Sequence, residues 1–240
     1  MKKIIQSALS LVGLELQRRP RRSFTDLHHI ETGGEGIVLP PGYNVETIID
    51  VGVAGGTPWL YERFSDQNLI LIEPLNVVTE LSDIIKHRDF EMYECAVGAE
   101  SGYIEINYDT TRPSLSSINE RSQLTKRPRH KLEKKIVELK TLDEIVLKTK
   151  FGTSKLGLKI DTEGFELEVL KGASDTLQRC QFVVCEASIE KRFEESYDFS
   201  ELVLFMADNN FKLSKVLQFA RDKNGVVRMA DVLFEPKAKV

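Results

Sequence analysis

In "LKIDTEGFELEVLKGA", residues 158–173, an apolar run ends at Asp161, Glu163 and Gly164 follow at once, and Leu167, Leu170 and Ala173 then recur on one helical stripe. The spacing predicts a buried strand, a tight turn and an amphipathic helix, with two carboxylates where the strand gives out. Paired acids in that place suit general acid–base or binding work on a ligand beyond the sheet edge. Two acids so close disfavour joint ionisation, which lifts one toward a useful base range. The competing role is structural, since negative charge just before a helix starting near Phe165 would cap its first amides. Glu166 and Glu168 fall on the solvated face of that helix by spacing and are assigned no chemistry.

A second constellation precedes these acids. "DVGVAGGTPWL", Asp50 to Leu60, places Gly52, Gly55 and Gly56 where another apolar run ends, and glycines let the backbone turn sharply and approach a bound molecule. The spacing differs from a dinucleotide fingerprint, and no lysine–serine or lysine–threonine pair completes a phosphate loop. The next apolar run ends in Glu73-Pro74, and Glu73 stands 21 residues past Gly52. An acid at that interval, on the end of the following strand, can accept hydrogen bonds from both hydroxyls of a ribose, which points to a nucleoside-containing cofactor. Trp59 is expected to pack behind the turn or to wall the acceptor site.

The elements that must position these groups are short runs of Val, Ile and Leu alternating with amphipathic stretches. Candidate strands are 47–52, 69–74, 91–98, 156–161 and 182–188, and their lack of polar alternation suits a mostly parallel sheet covered on both faces. Residues 211–236 contain two alternating runs around Asn224-Gly225, the signal of a closing antiparallel hairpin. Between Gly98 and Lys140 a polar insertion is expected, with one edge strand, "YIEINY", and a mobile basic loop at about 109–135. That loop carries Lys126, Arg127, Arg129, Lys131, Lys134 and Lys135, which could close over an anionic acceptor or simply be solvated. Two further acceptor-binding candidates are Glu186, at the end of "FVVCEAS", and His130 in the basic loop.

The totals exclude several classes. A net charge of −4 argues against a phosphate backbone as partner, so nucleic acid is not expected. Three cysteines with no paired spacing suggest neither a disulfide framework nor a zinc site, so no metal is expected and a reducing cytosol is the simplest compartment. The opening "MKKIIQSALSLVGLEL" is too broken by polar residues for a secretory signal; Ile5, Ala8, Leu9, Val12 and Leu16 form a helical stripe ended by "RRPRR". This helix is read as packed on the domain or, alternatively, as lying on an anionic membrane surface.

"IIDVGVAGG", "LIEP", "CAVG", "SSINERS", "VELKTLDEIV" and above all "LKIDTEGFELEVLKGA" resemble, in order, the motifs of the FkbM-type methyltransferase family across about residues 45–190. The resemblance implies a Rossmann-like class I methyltransferase fold, α/β, with a mostly parallel seven-stranded sheet, a C-terminal antiparallel hairpin and helices on both faces. It implies S-adenosyl-L-methionine as cofactor and O-methylation of a sugar or other small hydroxyl-bearing biosynthetic product; the basic loop would suit an anionic sugar or nucleotide sugar. Carried over by position, Asp50 and Gly52 border the methionine portion, Glu73 takes the ribose, and Ala96 and Val97 lie against the adenine. Under the same resemblance, Asp161 would orient or deprotonate an acceptor hydroxyl and Glu163 would bind the acceptor or the cofactor's ammonium, or the two exchange roles. Residues 1–44 then form a helical extension and 45–240 the methyltransferase domain. The family's turn usually contains an asparagine, whereas Val53 and Ala54 here supply no amide side chain. A cofactor-binding module without turnover is therefore a second reading, and a nicotinamide oxidoreductase a third.

Overall fold

Along the apolar runs, neighbouring residues enter different cores. Ile49, Ile70, Ile72 and Val183 belong to one buried cluster, while Ile48, Leu69, Leu71, Phe182 and Val184 belong to another. Successive side chains of a strand point to opposite faces, so a run apolar at every position must be covered on both. A computed structural model describes residues 29–32, 37–75, 85, 87–110, 115–122, 132–152, 154–222 and 224–238. The expected N-terminal helical stripe, its arginine cluster, His130 and most of the basic loop lie outside the described residues.

The strands are β1 (His29–Thr32), β2 (Thr47–Val51), β3 (Asn68–Ile72), β4 (Phe90–Tyr93), β5 (Ala96–Val97), β6 (Gly102–Asp109), β7 (Leu132–Lys140), β8 (Leu156–Ile160), β9 (Cys180–Ser188), β10 (Phe211–Arg221) and β11 (Val227–Pro236). The helices are α1 (Pro58–Arg63), α2 (Leu142–Lys148), α3 (Glu166–Lys171), α4 (Ser174–Leu177) and α5 (Phe199–Asp208). The main sheet runs β1-β10-β11-β9-β8-β2-β3-β4. From β4 through β9 the pairings are parallel, and β11 is antiparallel to both β9 and β10. Without β1, this is the expected seven-stranded, mostly parallel α/β sheet with a C-terminal antiparallel pair. Residues of α2, α3 and α5 fill one face, and α1 contributes Leu60 and Tyr61 to the other. Every main-sheet strand preceding the glycine turn, Glu73 and Asp161 therefore ends at the same rim.

Two expectations are corrected. The run read as one strand over 91–98 divides: β4 joins the main sheet, while β5 starts a separate three-stranded sheet ordered β5-β7-β6. Residues 132–140 of the insertion, whose first four were read as loop, are the antiparallel strand β7, paired with β6 from Gly102↔Leu139 to Asp109↔Leu132. Glu133, Lys134, Lys135 and Glu138 are exposed, whereas Val137 and Leu139 pack with Ala96 and Ile106 beneath it. The amphipathic alternation is confined to its last residues, which is why the lysines dominated the sequence pattern. Among the described residues no helix is long and apolar enough to cross a membrane.

Candidate functional site

The glycine turn is set by backbone geometry. Gly52 has φ +78°, and a Cβ there would lie 1.8 Å from the Asp161 carbonyl oxygen, so both the conformation and the approach of the β8 end demand glycine. Ala54 follows in the left-handed region at φ +43°, a strained conformation for a residue with a side chain. Its amide donates to Glu73 Oε2 at 2.9 Å, and the Leu75 amide donates to Glu73 Oε1 at 3.1 Å. A carboxylate offers about four lone-pair sites. Two are taken by the backbone, and the remainder suit a pair of ligand hydroxyls. Burial raises Glu73 above the usual carboxylate range, and the two amides and Lys159 oppose that rise.

Asp50 is placed differently from the sequence expectation. Its side chain is fully buried and does not line the cavity. Oδ2 accepts from Thr57 Oγ1 at 2.7 Å and Tyr61 hydroxyl at 2.5 Å, and Oδ1 lies 3.2 Å from Lys159 Nζ. Asp50 thus braces the turn from behind, tying it to α1 and β8. Burial and the neighbouring Asp50 keep the Tyr61 hydroxyl protonated, so it remains a donor.

Lys159, which lies within the LKIDTEG motif but takes no role from the sequence alone, is the hub between turn and acids. Its Nζ lies 3.2 Å from Asp50 Oδ1 and 3.4 Å from Asp161 Oδ2, and donates to the Gly52 carbonyl at 3.5 Å. Burial alone would lower its value; Asp50 and Asp161 outweigh that and hold the ammonium above the ordinary lysine range. A charged lysine inside the sheet is tolerable only because two carboxylates surround it.

The acidic corner is held from both sides. Glu163 is left-handed at φ +52°, and Gly164 at φ +99° packs so closely on Phe193 that a Cβ would meet the ring at 2.3 Å. The competing role of Asp161, Thr162 or Glu163 as a cap is not met: no side-chain cap bond is made at Phe165, the N-cap of α3. Glu166 does the converse. Although read as solvated, it is fully buried and folds back to accept from the Thr162 amide at 3.1 Å, the Gly164 amide at 2.9 Å and the Tyr197 hydroxyl at 2.7 Å. Burial raises Glu166, and the Tyr197 and Gly164 bonds oppose the rise. The "SSINERS" segment clamps the same corner: Ser117 Oγ donates to the Glu163 carbonyl and Asn119 Nδ2 to the Gly164 carbonyl.

Two arginines neutralise the corner's side chains. Glu163 Oε2 pairs with Arg192 Nη2 and, at 3.3 Å, with Arg121 Nη2, while Arg192 Nη1 reaches Glu186 Oε2 at 3.1 Å. Both guanidinium groups lie near the Phe193 ring, at 5.0 Å for Arg121 and 5.3 Å for Arg192. Burial and the nearby Asp161 push Glu186 well above its ordinary value, and Arg192 opposes them.

One cavity of about 400 Å³ joins these groups. Gly52, Gly55, Glu73, Ala96 and Val97 line one end, and Asp161, Glu163, Glu186 and Asp231 line the other, with Trp59 and Phe165 also on the wall. Of the site residues expected from sequence, only Asp50 stands off the wall and only His130 falls outside the described residues. Lys159, Gln218 and Asp231 were missed, though all three line the cavity. Lys159 sits in the most recognisable motif, whereas Gln218 and Asp231 belong to a hairpin whose polar alternation gives no chemical signal. Among the described residues no group of three His, Cys, Asp or Glu side chains is arranged to hold a metal ion.

A family model for the FkbM methyltransferase domain matches residues 22–213. The chain belongs to the FkbM methyltransferase family. Its cofactor is accordingly S-adenosylmethionine, and the site fits that group. Gly52 and Gly55 present bare backbone to the cavity, Glu73 retains acceptors for ribose hydroxyls, and the excess of acids over Lys159, Arg121 and Arg192 suits a cation. Curated proteins provide no match. Solved structures with which this FkbM protein shares a likeness include LaPhzM, at 9% identity and TM-score 0.38, over 80% of this chain and 50% of that chain. Another is the 1,6-didemethyltoxoflavin-N1-methyltransferase of Burkholderia thailandensis, solved with 1,6-didemethyltoxoflavin and S-adenosylhomocysteine, at 7% identity and TM-score 0.39 over 80% and 71%. A third is the methyltransferase domain of bacterial CtHen1-CN, at 10% identity and TM-score 0.36 over 80% and 91%. The present chain spans half the length of the LaPhzM chain. At these scores the likenesses add nothing to the topology described above.

Proposed function

We propose that this FkbM protein methylates a hydroxyl group of a small polyhydroxylated acceptor, a sugar or related biosynthetic product. The observation that carries the reading is the convergence of Asp161, Glu186 and Asp231 on the cavity that also holds the Gly52 turn and Glu73. Bound S-adenosylmethionine supplies an electrophilic methyl group. The chain's own residues then have to hold an acceptor oxygen in line with it and dispose of a proton. Asp161, on the strand next to the glycine turn, orients the acceptor or the cofactor's ammonium group. Glu163, tied to two arginines, shapes the wall between them. The described part of the acceptor wall is acidic, which favours a neutral polyol over an anionic sugar.

Incubation with methyl-tritiated S-adenosylmethionine and a panel of sugars and polyols, followed by mass analysis of labelled products, tests this directly. Label on a hydroxyl oxygen is the expected result. Label found only on amines, or firm cofactor binding with no transfer across the panel, would overturn the hydroxyl reading.

A further inference from the structure

The C-terminal hairpin brings to the cavity two side chains outside the family match, which ends at residue 213. Gln218 of β10 and Asp231 of β11 face each other in the β10–β11 ladder, and Asp231 faces Glu186 in the β11–β9 ladder. The three form a transverse row beyond the Asp161 strand, and all of them line the cavity. Adjacent strands lie about 4.8 Å apart, so the row begins roughly one strand past Asp161.

The acids at this end differ in what holds them. Asp161 is paired with Lys159, Glu163 with Arg192 and Arg121, and Glu186 with Arg192. Each of these three carboxylates thus already has a cation as a partner. Asp231 has no salt bridge among the described residues. Gln218 Nε2 donates to its Oδ2, and no hydrogen bond from the described residues reaches Oδ1. One oxygen is therefore fixed by a neutral donor while the carboxyl group borders the cavity.

The charged groups around it are Glu186 from β9, Lys159 from β8, Asp161 just after β8, and Arg192 from the loop after β9. Burial and Asp161 raise Asp231 to about 6, against the pull of Gln218, Lys159 and Arg192. A group with that value is ionised at neutral pH and still basic enough to take a proton.

We propose that Asp231 receives the proton of the methyl-accepting hydroxyl, with Gln218 as the residue that positions its carboxylate. The inference rests on the hydroxyl reading given above. In the step, the acceptor oxygen bonds to the methyl carbon as the carbon–sulfur bond breaks with its electron pair left on sulfur. The hydroxyl proton passes to Asp231, whose neutral carboxyl later releases it to solvent.

The test follows Asp231 by carbon-13 NMR in protein labelled at the aspartate carboxyl groups, its resonance assigned with Asp231→Asn. Titrations are run without ligand, with S-adenosylhomocysteine and with S-adenosylmethionine, which differ at sulfur by one methyl group and one positive charge. A midpoint near 6 is expected without ligand. S-adenosylmethionine should lower it by about one pH unit relative to S-adenosylhomocysteine, because the sulfonium would stand within reach of the carboxylate. Asp231→Asn should bind S-adenosylhomocysteine within about threefold of the parent yet transfer methyl groups to a hydroxyl acceptor at least about a hundredfold more slowly. Gln218→Ala should move the acid limb of the rate profile more than cofactor affinity. Equal midpoints with the two ligands, or parental transfer by Asp231→Asn, would overturn the assignment while leaving the hydroxyl reading intact. Binding of neither ligand would overturn both, and label confined to amines would remove the hydroxyl on which the assignment rests.

Discussion

At the Glu73 end of the cavity the backbone does the holding: Gly52 adopts a conformation that side chains resist, and Ala54 and Leu75 present their amides to one carboxylate. At the Asp231 end the holding is done by side chains drawn from distant segments, with Arg121, Arg192 and Gln218 each gripping an acid on another element. Lys159 joins the two ends. On the proposed reading, a site divided in this way keeps its cofactor geometry fixed through local chain conformation. On the same reading, its acceptor geometry depends on ion pairs that substitution can rearrange without disturbing the turn.

The sharpest way to break the comparison is Gly52→Ala, which places a methyl group on the Asp161 carbonyl and forces φ +78° on a residue with a Cβ. It should cost about 3 kcal/mol or more and abolish cofactor binding, as read by chemical unfolding and calorimetry. Close behind is Lys159→Met. Removing the cation leaves Asp50 buried with an uncompensated charge, at a cost of about 3–5 kcal/mol in unfolding experiments. Loss at both ends of the cavity would follow, whereas an effect confined to one end would contradict the linking role.

Glu166→Ala strips buried acceptors from the Thr162 and Gly164 amides and from Tyr197, and should cost about 2–4 kcal/mol. Glu166→Gln should recover part of this, because one oxygen remains for the amides. If Glu166 were solvated, as helix spacing suggests, both variants would be neutral.

The smallest expected effect has the opposite sign. Asp231 titrates at about 6 in the folded protein against an ordinary 3.8. The folded state therefore holds this proton more tightly, and stability is lost as pH rises from about 4 through 6. Asp231→Asn should then be more stable than the parent by roughly 1–3 kcal/mol at pH 8, with the gap closing near pH 4. Stability that tracks the parent at every pH would show that this acid is not strained by burial.

The same division governs what the sequence disclosed. The strands and the rim of glycine turn, Glu73 and Asp161 were legible because they follow from apolar runs and from where those runs stop. Asp50 was recognised as part of the site but its direction was not, since the motif fixes the position of the residue and the contacts of Thr57, Tyr61 and Lys159 fix its side chain. Glu166 was misread because helical spacing assigns a face, whereas the first residue of α3 can reach back to turn amides. β7 was concealed by its exposed lysines and glutamates. Arg192, Gln218 and Asp231 left no local trace, because their partners become neighbours only once β9, β10 and β11 pair.

A crystal structure with S-adenosylhomocysteine tests the central claim most directly. The account predicts both ribose hydroxyls hydrogen-bonded to Glu73, the adenine against Ala96 and Val97, and the sulfur facing the space between Asp161 and Asp231. A nucleoside bound away from Glu73, or a sulfur turned from those two aspartates, would contradict it.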